Sequence, residues 1–141
     1  MTAKHDMKKL VEEIYAVRDR GDIEGTLALT GEDCTFRIVG NARLGPFSSE
    51  AAGPHAFRQA ITQLITEWDL SAIRTVGIHV DEDDHVVFAH REGEVRYIPS
   101  GVSFHTEFVD KIHFKDGKPV KIVEFLDTLQ VAETSQIIQI A

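Results

Sequence analysis

With one cysteine, Cys34, the chain cannot form an internal disulfide, so its 141 residues must be held by a packed core. Long apolar runs are also missing. No stretch approaches the roughly 20 residues that span a bilayer, and residues 1–6 lack the apolar core of a signal peptide. The expected compartment is the cytoplasm, with no membrane partner. Positive charge is scarce: 15 Lys and Arg stand against 23 Asp and Glu, for a net charge of -8. A nucleic-acid partner calls for the reverse, a basic stripe, so none is expected. The seven histidines show no metal-ligand spacing. The loop from Gly40 to Gly53 lacks the spacing of a phosphate cradle. Neither a metal nor a cofactor is expected. Repeats, linkers and low-complexity tracts are absent too, so the sequence reads as one domain over residues 1–141.

What is present is clear periodicity. Met7, Leu10, Val11, Ile14 and Val17 recur at helical spacing, with Lys8, Glu12, Glu13 and Arg18 opposite, which predicts an amphipathic helix over about 5–20 that stops at Gly21. Asp22 is a good N-cap for a shorter helix ending near Gly31. Cys34, Phe36 and Ile38 then alternate as a short strand. After the loop, Pro54 opens a helix ending around Glu67. Strands follow over about 70–80, 85–97, 103–114 and 119–127. Helices grouped before a run of antiparallel strands indicate an α+β fold: a cone-shaped, curved antiparallel sheet with N-terminal helices on its concave face and a pocket between the layers.

The pair Asp116-Gly117 is the strongest local signal, because both central positions of a type I′ hairpin turn need positive φ. A two-residue loop there pairs Lys115 with Lys118, Asp110 with Val123, Phe108 with Phe125 and Thr106 with Asp127. Since side chains alternate with period two, Thr106, Phe108, Asp110, Phe125 and Asp127 are expected on one face, toward the helices. Carboxylates on such an apolar face point to a task, because burial disfavours their charged form and raises their pKa. A four-residue loop at Ile98–Gly101 sets Arg91 opposite Phe108 and diagonal to Asp110, within ion-pair reach. Asp127, Asp110 and Arg91 are therefore the candidate catalytic residues. Tyr15 and Trp68 from the helical side, with Phe36, Thr106, Phe108 and Phe125, are the candidate ligand wall. Each has a plainer alternative: a cap for Asp127, a static bridge for Asp110 and Arg91, core packing for Trp68. The outer face, with Val109, Ile122 and Leu126 among His105, Glu107, Lys111 and Glu124, is expected to form a homodimer interface, and the apolar 137–140 tail is expected to extend its cover.

Residues Arg20–Leu29, Gly31–Phe36, Phe108–Phe114 with the turn after it, and Val123–Thr128 resemble, in order and spacing, the SnoaL-like and ketosteroid-isomerase-like branch of the nuclear transport factor 2-like superfamily. The resemblance covers nearly the whole chain. It implies one of several activities, since this fold hosts isomerases, epoxide hydrolases, cyclases and non-catalytic binding modules. Against the isomerase pattern, Asp110 takes the place of the protonated aspartic acid, while the base position falls on Ile38 and the oxyanion tyrosine on Ile14, one residue from Tyr15. Against the limonene epoxide hydrolase pattern, Arg91 and Asp127 match, and the remaining aspartate falls on Gly93. The cyclase branch relies on an acid/base aspartate in the final strand, which Asp127 matches. Two readings stay open: a cofactor-free acid/base enzyme acting on a small hydrophobic, carbonyl-bearing or cyclic molecule, and a non-catalytic ligand-binding or accessory domain.

Overall fold

A computed structural model describes residues 4–137, so the expected cover from Ile138, Gln139 and Ile140 lies outside the described residues. Helix α1 spans Lys4–Asp19 and α2 Ile23–Ala28, the latter capped by Asp22, whose carboxylate accepts from Gly25 N at 2.7 Å. Strand β1 is Thr35–Ile38, a 3₁₀ segment runs over Ala42–Ser48, and α3 is Pro54–Glu67. Four further strands follow: β2 Trp68–Asp81, β3 Val86–Tyr97, β4 Val102–Lys115 and β5 Lys118–Phe125. A last helix, α4 Thr128–Thr134, occupies sequence that alternation does not predict as helical.

The sheet order is β1-β5-β4-β3-β2. It is a mixed sheet and not a purely antiparallel one, because β1 pairs with β5 in parallel. The helices pack on one face of this curved α+β arrangement. Among the described residues no helix is long and apolar enough to cross a membrane.

The hairpin forms as its turn chemistry demands, with Asp116 at φ 52° and Gly117 at φ 79° and Lys115 opposite Lys118. The expected register then fails within two residues. Phe114 pairs with Pro119, but His113 pairs with Lys121, so Val120 is an extra residue. Proline has no N–H to give the ladder and is tolerated in strands at bulges; Pro119 instead offers its carbonyl to Gly31 N at 2.9 Å. The bulge inverts every later side chain of β5. Asp110 faces Glu124, not Val123, and Val109 faces Phe125. Ile122 and Glu124 are therefore buried under the helices, and Leu126 packs on that side as well, while Phe125 is 46% exposed on the outer face.

The core has two parts. At the hairpin end, Met7, Val11, Cys34, Val87, Ile112 and Ile122 pack apolar on apolar. At the far end, Leu70, Ile73, Val95 and Phe108 pack with Leu64, Trp68, Phe104 and Leu126.

Candidate functional site

Between those two packed regions lies a buried polar cluster. Tyr15, Arg18 and Asp19 stand at positions i, i+3 and i+4 of α1 and so share one helix face, turned toward the sheet. The Tyr15 hydroxyl donates to Asp110 Oδ2 at 2.6 Å. Arg18 donates from Nε and Nη2 to Asp19 Oδ1 at 3.3 and 3.2 Å, and its Nη1 lies 4.0 Å from Asp110 Oδ2. Arg91 pairs with Asp19 Oδ2, donates to Thr75 Oγ1 at 2.7 Å, and sets its guanidinium 4.0 Å from the Tyr15 ring centroid. The arginine of β3 does sit opposite Phe108. Its partner is Asp19, however, not Asp110.

Charge balance decides the protonation of this cluster. Two guanidinium groups face Asp19, Asp110 and Glu124, three carboxyls for two cations. Asp110 and Glu124 are neighbours on adjacent strands and are buried together. Two buried carboxylates side by side repel, so such a pair holds a proton. Burial first, then the charge of Asp110 and the hydrogen bond with it, push the Glu124 carboxyl well above its ordinary range, and Arg18 and Arg91 only partly oppose this. A proton on Glu124 has an acceptor within the pair: Asp110 Oδ1 is buried and has no hydrogen-bond partner of its own among the described residues. Leaving such an acceptor bare costs about 1–3 kcal/mol. With Glu124 neutral the cluster sums to zero. Tyr15 is likewise held as a hydroxyl, chiefly by burial and then by the Asp110 charge. Burial pulls Arg18 down, but Asp19 and Asp110 outweigh it and the net shift is upward.

Arg18 and Glu124 also line a cavity of about 60 Å³, otherwise mostly apolar, whose walls include Trp68, Thr106, Phe108 and Val131 of α4. A second chamber of about 340 Å³ lies against it, walled by Phe36, Leu44 and Phe47 among others. The expected wall residues thus divide. Trp68, Thr106 and Phe108 line the inner cavity, and Phe36 lines the outer one. Tyr15, Asp110 and Arg91 sit behind the inner wall, with Asp110 only 2% and Arg91 3% exposed. Phe125 is turned away by the bulge, toward a groove on the outer face. Asp127 is outside as well: it caps α4, accepting from Gln130 N at 3.1 Å, and borders an outer crevice with Glu92 and His105. The carboxyl that occupies its expected place is Glu124. Arg18, Asp19, Thr75 and Glu124 are members that alternation did not single out. The spacing Met7, Val11, Tyr15, Arg18 was the available signal for Arg18, since it continues the buried stripe of α1.

Two neighbouring positions limit the chemistry. Ile38, at the base position of the isomerase pattern, lines the inner cavity and is aliphatic. At Gly93, where the hydrolase pattern has an aspartate, a Cβ would stand 2.4 Å from the Ala72 carbonyl oxygen, so no side chain fits. Among the described residues, no group of three or more His, Cys, Asp or Glu is arranged to hold a metal ion.

In the known proteins the arrangement has close parallels of shape. A Bacillus subtilis protein provisionally named an isomerase superposes with TM-score 0.85 at 17% identity, covering 100% of each chain. A Xanthomonas campestris protein provisionally named a polyketide cyclase gives TM-score 0.73 at 16% identity over 96% of this chain and 98% of its own. The epoxide hydrolase/cyclase-like enzyme SalBIII, of pyran ring formation in salinomycin, gives 0.75 at 19% identity over 92% and 96%. At these identities the likeness is one of fold. No curated protein matches in sequence. The SnoaL-like domain profile, however, matches residues 11–125, most of the chain, and the protein belongs to the SnoaL-like family.

Proposed function

We propose that the protein is a cofactor-free general-acid enzyme that rearranges or closes a ring in a small, largely hydrophobic molecule bearing a carbonyl or epoxide oxygen. The observation that carries this reading is the buried Glu124 carboxyl on the wall of an apolar cavity also lined by Arg18, where burial and the neighbouring Asp110 push it above its ordinary range. Glu124 donates its proton to the substrate oxygen as the carbon–oxygen bond polarises or breaks, and Arg18 steadies the charge that develops there. The position of a separate base holds the aliphatic Ile38, which cannot activate a water, and in this reading the nucleophile is a hydroxyl of the substrate itself. The proton that this nucleophile loses returns to the Asp110–Glu124 pair. The net reaction is an isomerisation that needs no water, oxidant or metal.

A panel of hydroxy-epoxides and hydroxy-ketones, followed by NMR for the cyclic ether or hemiacetal, tests this. Wild-type protein should close at least one member, and Glu124→Gln should slow it by about 10²-fold or more, the usual worth of a positioned acid. Binding of panel members with no closure would favour the second reading, a non-catalytic ligand-binding domain, for which the aliphatic Ile38 speaks.

We further propose that two copies associate through the outer sheet face, where Phe88 and Phe125 are exposed, Lys111 lies over Phe88, and His90 pairs with Glu107 at 2.9 Å. Mixed apolar and oppositely charged groups suit a self-complementary two-fold contact. Sedimentation as a monomer at micromolar concentration would remove this part.

A further inference from the structure

The inner cavity that holds Arg18 and Glu124 measures about 60 Å³, well under the roughly 150 Å³ of an engineered apolar cavity that accepts benzene. It has room for a functional group and not for a ring. The outer chamber, about 340 Å³, has room for rings but presents neither Arg18 nor Glu124. The two share four wall residues, Ile38, Phe47, Leu64 and Trp68. Three of these belong to β1, to α3 or to the junction of α3 with β2, so their backbones are fixed by regular structure. Phe47 is different. It is carried by the Ala42–Ser48 segment, a short 3₁₀ stretch closed on itself by local bonds, with Asn41 O accepting from Leu44 N and Ser48 Oγ at 3.0 Å and Gly45 O from Ser49 Oγ at 3.1 Å, so what can yield there is the half-buried Phe47 side chain and not the backbone that carries it. Just before Phe47, Gly45 takes φ 62° and ψ -134°, a conformation open in practice to glycine, and this kink sets the direction in which the segment runs on toward Phe47.

We propose that Phe47 is the partition that sets ligand size: the reacting oxygen of the ligand enters the inner cavity, its ring system stays in the outer chamber, and the Phe47 side chain must move aside for one molecule to occupy both. The proposal rests on the acid site described above and adds to it a substrate class, namely a compound of about two rings whose reacting oxygen function lies at one end. Outside the apolar walls, Gln63, Glu67 and Ser49 line the outer chamber, so a polar group at the far end of the ligand would be met there as well.

Isothermal titration of three probes tests the partition: cyclohexanone with one ring and an oxygen, 2-decalone with two rings and an oxygen, and decalin with two rings alone. Phe47→Ala removes the ring that a two-ring ligand must displace, so it should tighten 2-decalone about tenfold while changing cyclohexanone by less than about twofold. Phe47→Trp should weaken 2-decalone. Phe47 is only half-buried, so each variant should keep its fold, which circular dichroism checks. Equal changes for the two ketones, no change for either, or no binding of a ketone to wild type and Phe47→Ala alike would overturn the proposal. Decalin keeps this reading apart from the acid site on which it rests. Phe47-dependent binding of both two-ring compounds without preference for the ketone would overturn the acid site and uphold the partition. A ketone preference that Phe47 does not affect would do the reverse.

Discussion

At the hairpin end of the sheet Met7, Val11, Cys34 and Val87 have no exposed surface and pack apolar on apolar, whereas a few residues along the same strands Arg91, Asp110 and Glu124 are buried nearly as deeply. On β3 the inward positions run Val87, Ala89, Arg91, and on β4, read from the turn, they run Phe114, Ile112, Asp110. One step of the pleat separates a dry core from an ionic one. The first region is stable because it removes apolar surface from water, at about 25 cal/mol per Å². The second holds only because each charge has a partner and the sum is zero. Burial raises a titratable group in both, and pushes the Cys34 thiol up to about 12. That thiol is sealed in packing, while Glu124, raised by the same cause, reaches the cavity wall. The difference between an inert buried acid and a candidate catalytic one is access.

The contrast breaks most sharply in a double-mutant cycle. Asp110→Asn alone should cost less than removal of a buried counter-charge usually does, because Glu124 can give up its proton and supply the missing negative charge. Glu124→Gln alone keeps the cluster neutral and should be mild. Together they leave two buried guanidinium groups facing Asp19 only, and the double variant should lose about 3–5 kcal/mol, far more than the sum of the two. Urea denaturation at pH 7 reads the coupling, and additive effects would mean that the two carboxyls do not share a proton. By comparison Met7→Ala, in the packed region, should cost about 2–5 kcal/mol through lost burial and a cavity, with no dependence on pH.

The second test is the pH dependence itself. The folded-state value of Glu124 lies above the ordinary 4.5, so the folded protein keeps a proton that the unfolded chain has released. The contribution is full below about pH 4.5 and is lost as pH rises toward the folded value, at about 1.4 kcal/mol per pH unit. Other groups bend the curve differently. Glu24 is held low by the hydrogen bonds it accepts from Arg58 and Asp69 by those it accepts from Ser71, so both act only around and below their ordinary values. His113, lowered by partial burial and then by Lys111 and Lys121, adds stability as pH rises through its ordinary 6.5. The clean reading is therefore the difference between wild type and Glu124→Gln. That difference should fall steadily from pH 5 upward, and a flat difference would place the shared proton elsewhere.

How much of this was legible depended on where each strand gets its register. The parity of β4 follows from the turn, since Asp116 and Gly117 leave the hairpin no other geometry, and the expected inward placement of Phe108 and Asp110 holds. Arg91 opposite Phe108 follows equally from the Ile98–Gly101 loop. The parity of β5 does not follow, because hydrophobicity alone is ambiguous there: Ile122, Glu124, Leu126 and Val123, Phe125, Asp127 each combine two apolar residues with one acid. The signal that decides between them is Pro119, a residue without an N–H in the second position of a strand. Arg18 was misread for a different reason. Charge suggested the solvent face, while its position about three turns along a stripe that starts at Met7 and runs through Val11 and Tyr15 puts it inside, where Asp19 and Asp110 compensate it. The partition by Phe47 depends on the path of an irregular loop, which no periodicity encodes.

The smallest expected effect tests that corrected register directly. On a bulge-free hairpin Asp127 lies among the cavity residues, and its removal would abolish any proton transfer. On the observed one it accepts from Gln130 N at the start of α4, whose Val131 forms part of the cavity wall. Asp127→Ala should therefore cost about 1 kcal/mol of stability, the usual worth of an N-cap, and Asp127→Ser should restore most of it, because a hydroxyl caps as well as a carboxylate does. Turnover or ligand affinity should change by less than about twofold, through slight loosening of Val131 and nothing more. Loss of function in Asp127→Ala at undiminished stability, or failure of serine to rescue, would mean that the carboxylate acts inside the cavity and that Val120 is not the extra residue of β5.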